Sequence, residues 1–376
     1  MKNNNPKERL FFERDFIDFS LRLLKHTMTD KGNVIISPLS IAIALTMLSE
    51  GSSSSTRREF KNLLAKNSGL LCFQETLSDL CRDYANNNQD MLLANSLWAN
   101  TLADRCRIIE GFQALIKDKY NADVFQVAFG NGTAKDINNW ISNRTDHQIN
   151  DIVSNMDENV VSLLVNAVCF NQIWDVEYCE KDIVKNGRFF GTDGVGYVDY
   201  MFSKEDIFLQ TDIAEGFIKP YTSKVFGYFA LKPREDNTIE DIIKLLLLEP
   251  FENVVQVRRI CNLYVGIPEY SQDSSIELRN QLVNMGLVSC FTNGDFSKML
   301  KGDFSVGEIL HRCQIEVNHH GTNASAATIV EIEYGSMLTP EIEPPKQIVL
   351  DRPFLYGVID MKHRMPVFIG VFFHSC

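Results

Sequence analysis

The stretch HHGTNASAATIVEIEYGSML, residues 319–338, decides how this chain is read. Taken every second residue, it gives Thr322, Ala324, Ala326, Thr328, Val330, Ile332 and Tyr334; between them lie Asn323, Ser325, Ala327, Ile329, Glu331 and Glu333. A period of two puts the first set on one face of a strand and the second on the other. The first face is small or apolar and suits burial in a sheet, while the second is mostly polar. Beyond it, Thr339, Pro340, Glu341, Glu343, Pro344, Pro345 and Lys346 read as an exposed loop. A strand-competent segment therefore runs straight into a Pro-rich, charged tether.

Outward from this segment, the pattern is helical early and extended late. Phe12, Phe16, Phe19 and Leu23 recur at helical spacing and predict an amphipathic first helix. Ser37 or Ser40 caps a second helix whose stripe is Ile41, Ala44, Leu45 and Leu48, with Gly51 at its end. Ile137, Trp140 and Ile141 share a face of a third helix, with Asp136 near its N-terminus, where the helix dipole favours an anion. Residues 161–170 form a continuous apolar run, as expected of a strand covered on both faces. Residues 225–232, 263–268, 353–359 and 366–371 also read as strands. The fold class expected is α+β with large sheets.

Composition narrows the function. The 376 residues carry a net charge of −12, which argues against a nucleic-acid partner. No Gly/Ser/Pro-rich linker divides the chain, so one domain over residues 1–376 is expected. The opening MKNNNPKERLFFERDF lacks the apolar core of a secretory signal, and no run reaches 18 uninterrupted apolar residues. Nine dispersed cysteines suit a reducing compartment. These features predict a cytoplasmic protein without a membrane span; export on an uncleaved internal signal is the alternative. No set of ligands clusters in the sequence, so neither a metal nor a cofactor is expected.

Several motifs then share one resemblance. HRCQIEVNHHGTNASAATIV (311–330) resembles the reactive-loop hinge of the serpins, with Gly321, Thr322, Ala324, Ala326, Ala327 and Thr328 matching position by position. VIISPLSIAIALTMLSEG (34–51), INNWISNRTDHQIND (137–151), LLVNAVCFNQIW (163–174), LVNMGLVSCFTNGDFS (282–297) and the DRPFLYGV…PVFIG end (351–370) are similar to further family blocks in family order. The resemblance implies helices packed on a large central mixed sheet, further sheets, and an exposed reactive loop, with hinge and loop at 319–346. It implies a monomeric suicide inhibitor of a serine or cysteine protease, not an enzyme. The rivals are a non-inhibitory binding protein or decoy, and an enzyme using His311, His319 or His320. The signal-less start resembles the intracellular branch, and abundant Asn, Ile and Lys hint at a poxvirus member acting in the host cytoplasm.

The same resemblance gives roles to residues that the pattern leaves open. Asn166 lies inside an apolar strand and needs a buried partner, because an unpaired buried amide costs about 1–3 kcal/mol. His311 is the candidate partner, with Ser37 and Ser40 in the same cluster, which the family uses to gate sheet opening. Trp174 reads as core; the resemblance places it where the loop first joins the sheet. Counting fourteen residues on from Gly321 reaches the Gly335–Ser336 bond. Tyr334 suits a chymotrypsin-like enzyme, Met337 or Leu338 an elastase- or chymotrypsin-like one, and Glu333 an acid-preferring one. His319 and His320 stand where the family carries an acidic pair, and Asn323 where it carries a further acid. Adjacent residues on a strand face opposite ways, so the two histidines are not expected to share a metal. They do predict pH-dependent loop insertion, because histidine changes charge near pH 6.5.

Overall fold

The structure, a computed structural model, describes residues 6–29, 32–87, 91–101, 107–154, 160–301, 305–322 and 346–375. The helices are α1 (Pro6–Thr27), α2 (Pro38–Gly51), α3 (Ser54–Leu64), α4 (Leu70–Asn87), α5 (Glu110–Tyr120), α6 (Thr133–Arg144), α7 (Ile239–Leu248), α8 (Phe251–Val254) and α9 (Arg279–Asn284). The strands are β1 (Val34–Ile36), β2 (Met91–Asn100), β3 (Arg107–Ile108), β4 (Asp123–Val127), β5 (Ser162–Phe170), β6 (Gln172–Ile173), β7 (Ile183–Gly191), β8 (Gly194–Gln210) and β9 (Ala214–Pro220). They continue with β10 (Phe226–Pro233), β11 (Gln256–Pro268), β12 (Tyr270–Glu277), β13 (Leu300–Lys301), β14 (Glu308–Val317), β15 (Gly321–Thr322), β16 (Lys346–Val349), β17 (Phe354–Asp360) and β18 (Met365–Phe372). The expected α+β class holds. A nine-stranded sheet runs β1-β18-β17-β10-β9-β8-β11-β16, with β7 on β8. A seven-stranded mixed sheet runs β4-β2-β5-β14-β15-β6, with β12 on β14.

The continuous apolar run of β5 has a physical reason. Its alternate residues feed two separate cores. Leu164, Val168 and Phe170 join the large core shared with α1, α2 and the nine-stranded sheet. Leu163, Val165, Ala167 and Cys169 join a second core under α6, with Ile137 and Ile141. A strand buried on both faces has no room for polar alternation, so Asn166 is an exception that needs its own explanation.

The helices follow their spacing. Phe12, Phe16, Phe19 and Leu23 of α1 are buried. In α2 the Ser37 side chain accepts from the Ser40 amide at 3.3 Å, with Pro38 in the first turn. Gly51 does end α2, but not as a left-handed cap. A Cβ there would stand 2.5 Å from the Met299 Cβ, so close packing against residue 299 is what requires glycine.

Candidate functional site

The site lies where β5 and β14 run side by side. They pair in parallel from Leu163↔Glu308 to Val168↔Cys313, and this register sets Asn166 directly opposite His311. The antiparallel pairing of β2 with β5 sets Asn95 on the other side of Asn166. Three polar residues therefore form one row across three adjacent strands.

The row is closed from below by the N-terminus of α2. The Asn166 amide donates to Ser40 O at 2.7 Å and Ser40 Oγ at 2.6 Å, and also faces Asn95 Oδ1. Asn166 Oδ1 meets His311 Nδ1. The Ser37 amide donates to His311 Nε2 at 3.1 Å, and Ser37 Oγ donates to Val367 O at 2.8 Å. Nε2 must then hold a lone pair, which puts the imidazole proton on Nδ1, pointing at Asn166. All four residues named from the sequence, Ser37, Ser40, Asn166 and His311, are fully buried here.

Burial also fixes the charge of His311, lowering its pKa from 6.5 to about 3. A second proton would displace the Ser37 amide from Nε2. Because the folded pKa lies below the unfolded one, stability is complete above about pH 6.5 and is lost as the pH falls toward 3. The slope is on the order of 1.4 kcal/mol per pH unit. Between pH 6.5 and 4.5 the uncut wild type is expected to lose about 2 kcal/mol more than His311→Gln. Urea melts at both pH values check this, and carboxylate effects common to both proteins cancel. Equal losses would show that the imidazole is not held neutral.

At the end of β14 the chain turns back on itself. Thr322 pairs with Val317 of β14 on one side and Gln172 of β6 on the other, and Gly321 pairs with Ile173; both ladders are antiparallel. The hinge has thus already placed two residues in the sheet. A Cβ on Gly321 would lie 2.0 Å from Gln172 O and 2.7 Å from Ile173 Cα, so only glycine passes this backbone. Thr322 is fully buried, and its hydroxyl shares a hydrogen bond of 2.6 Å with Tyr221. Ala324, Ala326, Ala327 and Thr328 of the hinge, and Tyr334, Gly335, Ser336 and Met337 around the candidate bond, lie outside the described residues.

Trp174 forms the floor of this junction. It stacks on Tyr221 at 4.7 Å, and its indole donates to Asn318 O at 2.8 Å. Beneath it, Lys219 and Glu205 form a buried ion pair at 2.8 Å. The ammonium also lies 4.6 Å from the Tyr178 ring centroid and donates to Val176 O.

The two histidines differ from expectation. Residues 318–320 form a turn rather than a strand, so the His319 and His320 rings come within 4.1 Å of each other instead of facing apart. Each finds a carboxylate remote in sequence: Glu269 at 2.8 Å from His319 and Glu177 at 3.2 Å from His320. Among the described residues, no group of three or more His, Cys, Asp or Glu side chains is placed to hold a metal.

Sequence reasoning missed Asn95, Lys219, Glu205, Tyr221, Glu177 and Glu269. Asn95 carried the same signal as Asn166, an amide within an apolar strand. The others carry no local signal, because tertiary packing alone makes them neighbours.

Comparison with known proteins agrees with this geometry. The family model described as Serpin (serine protease inhibitor) matches residues 15–375. A serpin-like protein of Thermococcus kodakarensis is 26% identical over 364 residues, covering 94% of this chain and 83% of the relative. Serpin B6 of Pongo abelii is 27% identical over 372 residues, covering 94% and 96%. The crystal structure of tengpin, a thermophilic serpin in its native state, superposes with a TM-score of 0.85 at 28% identity over 100% of this chain and 96% of that one. With its mixed sheet and a family match over residues 15–375, the chain belongs to the serpin family of protease inhibitors.

Proposed function

We propose that this protein is a suicide-substrate inhibitor of a serine or cysteine protease. The protease attacks the loop after residue 322 as a substrate, and an acyl-enzyme forms. The severed loop then joins the seven-stranded sheet as a new strand between β5 and β14 before the acyl bond is hydrolysed. Strand insertion of this kind is a recognised switching transition of the family.

The observation that carries this reading is the register of β15, with Thr322 paired on both sides and Gly321 paired with Ile173. Both neighbours are antiparallel to the hinge, so the pairing can continue residue by residue. Continued in the register of Gly321 and Thr322, the inserted strand would bring Thr328 opposite His311 on one side and Asn166 on the other. The advancing strand thus replaces the His311–Asn166 bond with a residue that can both donate and accept. Thr322 faces the core, and in an inserted strand residues of like parity would face it too. These are Ala324, Ala326, Thr328, Val330, Ile332 and Tyr334, the small-then-apolar face read in the sequence.

The test is incubation with a panel of serine and cysteine proteases. The expected result is an SDS-stable complex with one of them and release of a C-terminal peptide whose mass identifies the bond among Tyr334, Gly335, Ser336 and Met337. Cleavage with no complex across the panel would support the rival reading, a binding protein or decoy. Thr322→Arg sharpens the assay. It would bury an unpaired charge against Tyr221 and Trp174, raising the insertion barrier by about 3 kcal/mol or more. That slows insertion roughly a hundred-fold, so the acyl-enzyme hydrolyses first and the protein is consumed as substrate. A variant that still traps protease at the wild-type ratio would count against insertion through this hinge.

A further inference from the structure

The turn that joins β14 to β15 meets a carboxylate on each side. His319 donates its backbone amide to Glu269 Oε1 at 3.0 Å, and its ring Nδ1 lies 2.8 Å from the same oxygen. His320 Nδ1 lies 3.2 Å from Glu177 Oε2. Glu269 comes from the junction of β11 and β12, and Glu177 from the segment after β6. The backbone completes the attachment. The carbonyls of His320 and His319 accept from the amides of Trp174 at 3.0 Å and Tyr178 at 3.3 Å. Asn318 Oδ1 accepts from the amides of His320 and Gly321.

We propose that the His319–His320 turn is a pH-dependent clasp which keeps Gly321 and Thr322 seated in the sheet when the histidines are charged and loosens its hold when they are neutral. Withdrawal of the hinge would straighten residues 318–322 and take each imidazole from its carboxylate, so the two states differ in the interactions that protonation strengthens. The charged groups around the turn set the direction. Glu177 and Glu269 face the rings, and Glu316 holds the Asn318 amide at 3.1 Å. The nearby cations are engaged elsewhere, Lys219 with Glu205 and Lys224 with Asp175. A turn with neutral imidazoles therefore lies in a negative environment. Each proton taken up turns a hydrogen bond to a carboxylate into an ion pair, which holds the turn more strongly. The rings are close enough for two charges to oppose each other, but each charge has its own carboxylate to offset it.

The loop-insertion reading gives the clasp its consequence, because a seated hinge has begun insertion and shortens the loop offered to a protease. The clasp itself is tested without any protease, so the two ideas fail separately. Backbone hydrogen exchange of residues 317–322 in the uncut full chain is measured at pH 5.5 and 7.5, after correction for the intrinsic pH dependence of exchange. In wild type, hinge opening is expected to be about two- to ten-fold rarer at pH 5.5, the range for two half-exposed ion pairs. His319→Gln/His320→Gln should show equal opening at both pH values, and so should Glu177→Gln/Glu269→Gln, which keeps the histidines. Exchange in β17 and β18 reports that each variant is folded. An unchanged wild-type hinge across this range, or the same pH difference in either folded double variant, would overturn the clasp.

Discussion

A single cut between residues 334 and 345 is expected to raise the melting temperature by roughly 13–25 °C. The estimate follows from what the inserted strand gains. The parallel β5–β14 ladder, Leu163↔Glu308 to Val168↔Cys313, is lost. Two antiparallel ladders replace it, a net gain of about ten hydrogen bonds at about 1 kcal/mol each. Val330 and Ile332 add about 1.5–3 kcal/mol apiece on burial. The sum is on the order of 10–20 kcal/mol, comparable to the whole stability of a typical domain. Unfolding entropy of about 2.1 cal/mol/K per residue gives roughly 0.8 kcal/mol/K for 376 residues, and the quotient is the shift. The uncut chain is then held in place by a barrier rather than by an equilibrium. Differential scanning calorimetry of the cut and uncut chains measures the shift directly. A cut chain that melts no higher than the intact one would exclude the stored energy on which inhibition depends.

Asn166→Ala is expected to lower the melting temperature of the uncut protein by about 4–11 °C and that of the cut protein by less. The substitution leaves the Nδ1 proton of His311, the Ser40 carbonyl and Asn95 Oδ1 without the partner they share in wild type. Each orphaned buried group costs about 1–3 kcal/mol, or about 3–9 kcal/mol together. The asymmetry between the two forms is the informative part. An inserted strand already parts Asn166 from His311, so the cut form has less to lose. The uncut variant should also convert spontaneously to an inserted form on prolonged warming, detectable as a species that no longer binds protease. Equal destabilisation of both forms would reduce Asn166 to an ordinary buried amide.

Both expectations concern a site that was only partly legible in the sequence. The alternation from Thr322 to Tyr334 reflects a local rule, two residues per strand repeat, and needs no tertiary knowledge. Asn166 stood out because a polar amide inside an apolar run must have a partner. Which partner it has was not written locally: Asn166 and His311 are 145 residues apart. Family resemblance supplied His311, and the β5–β14 register now gives the physical reason. The histidine pair shows the opposite case. Read as strand residues, His319 and His320 should diverge, but the chain reverses at Asn318 so that Gly321 can pass Gln172, and the rings converge. A local rule failed there because the backbone follows the needs of the sheet rather than the propensity of the dipeptide.

By itself the sequence determined the class of fold, the helical stripes of α1 and α2, the doubly buried strand β5 and the small-to-apolar face that follows Gly321. These depend on periodicity and side-chain size, which act over a few residues. Only the tertiary structure decided that the hinge sits two residues deep between β14 and β6, that Lys219 and Glu205 are buried beneath Trp174, and that Glu177 and Glu269 hold the turn. Those facts depend on strand order and register, which bring together side chains from distant parts of the chain and which no local pattern encodes.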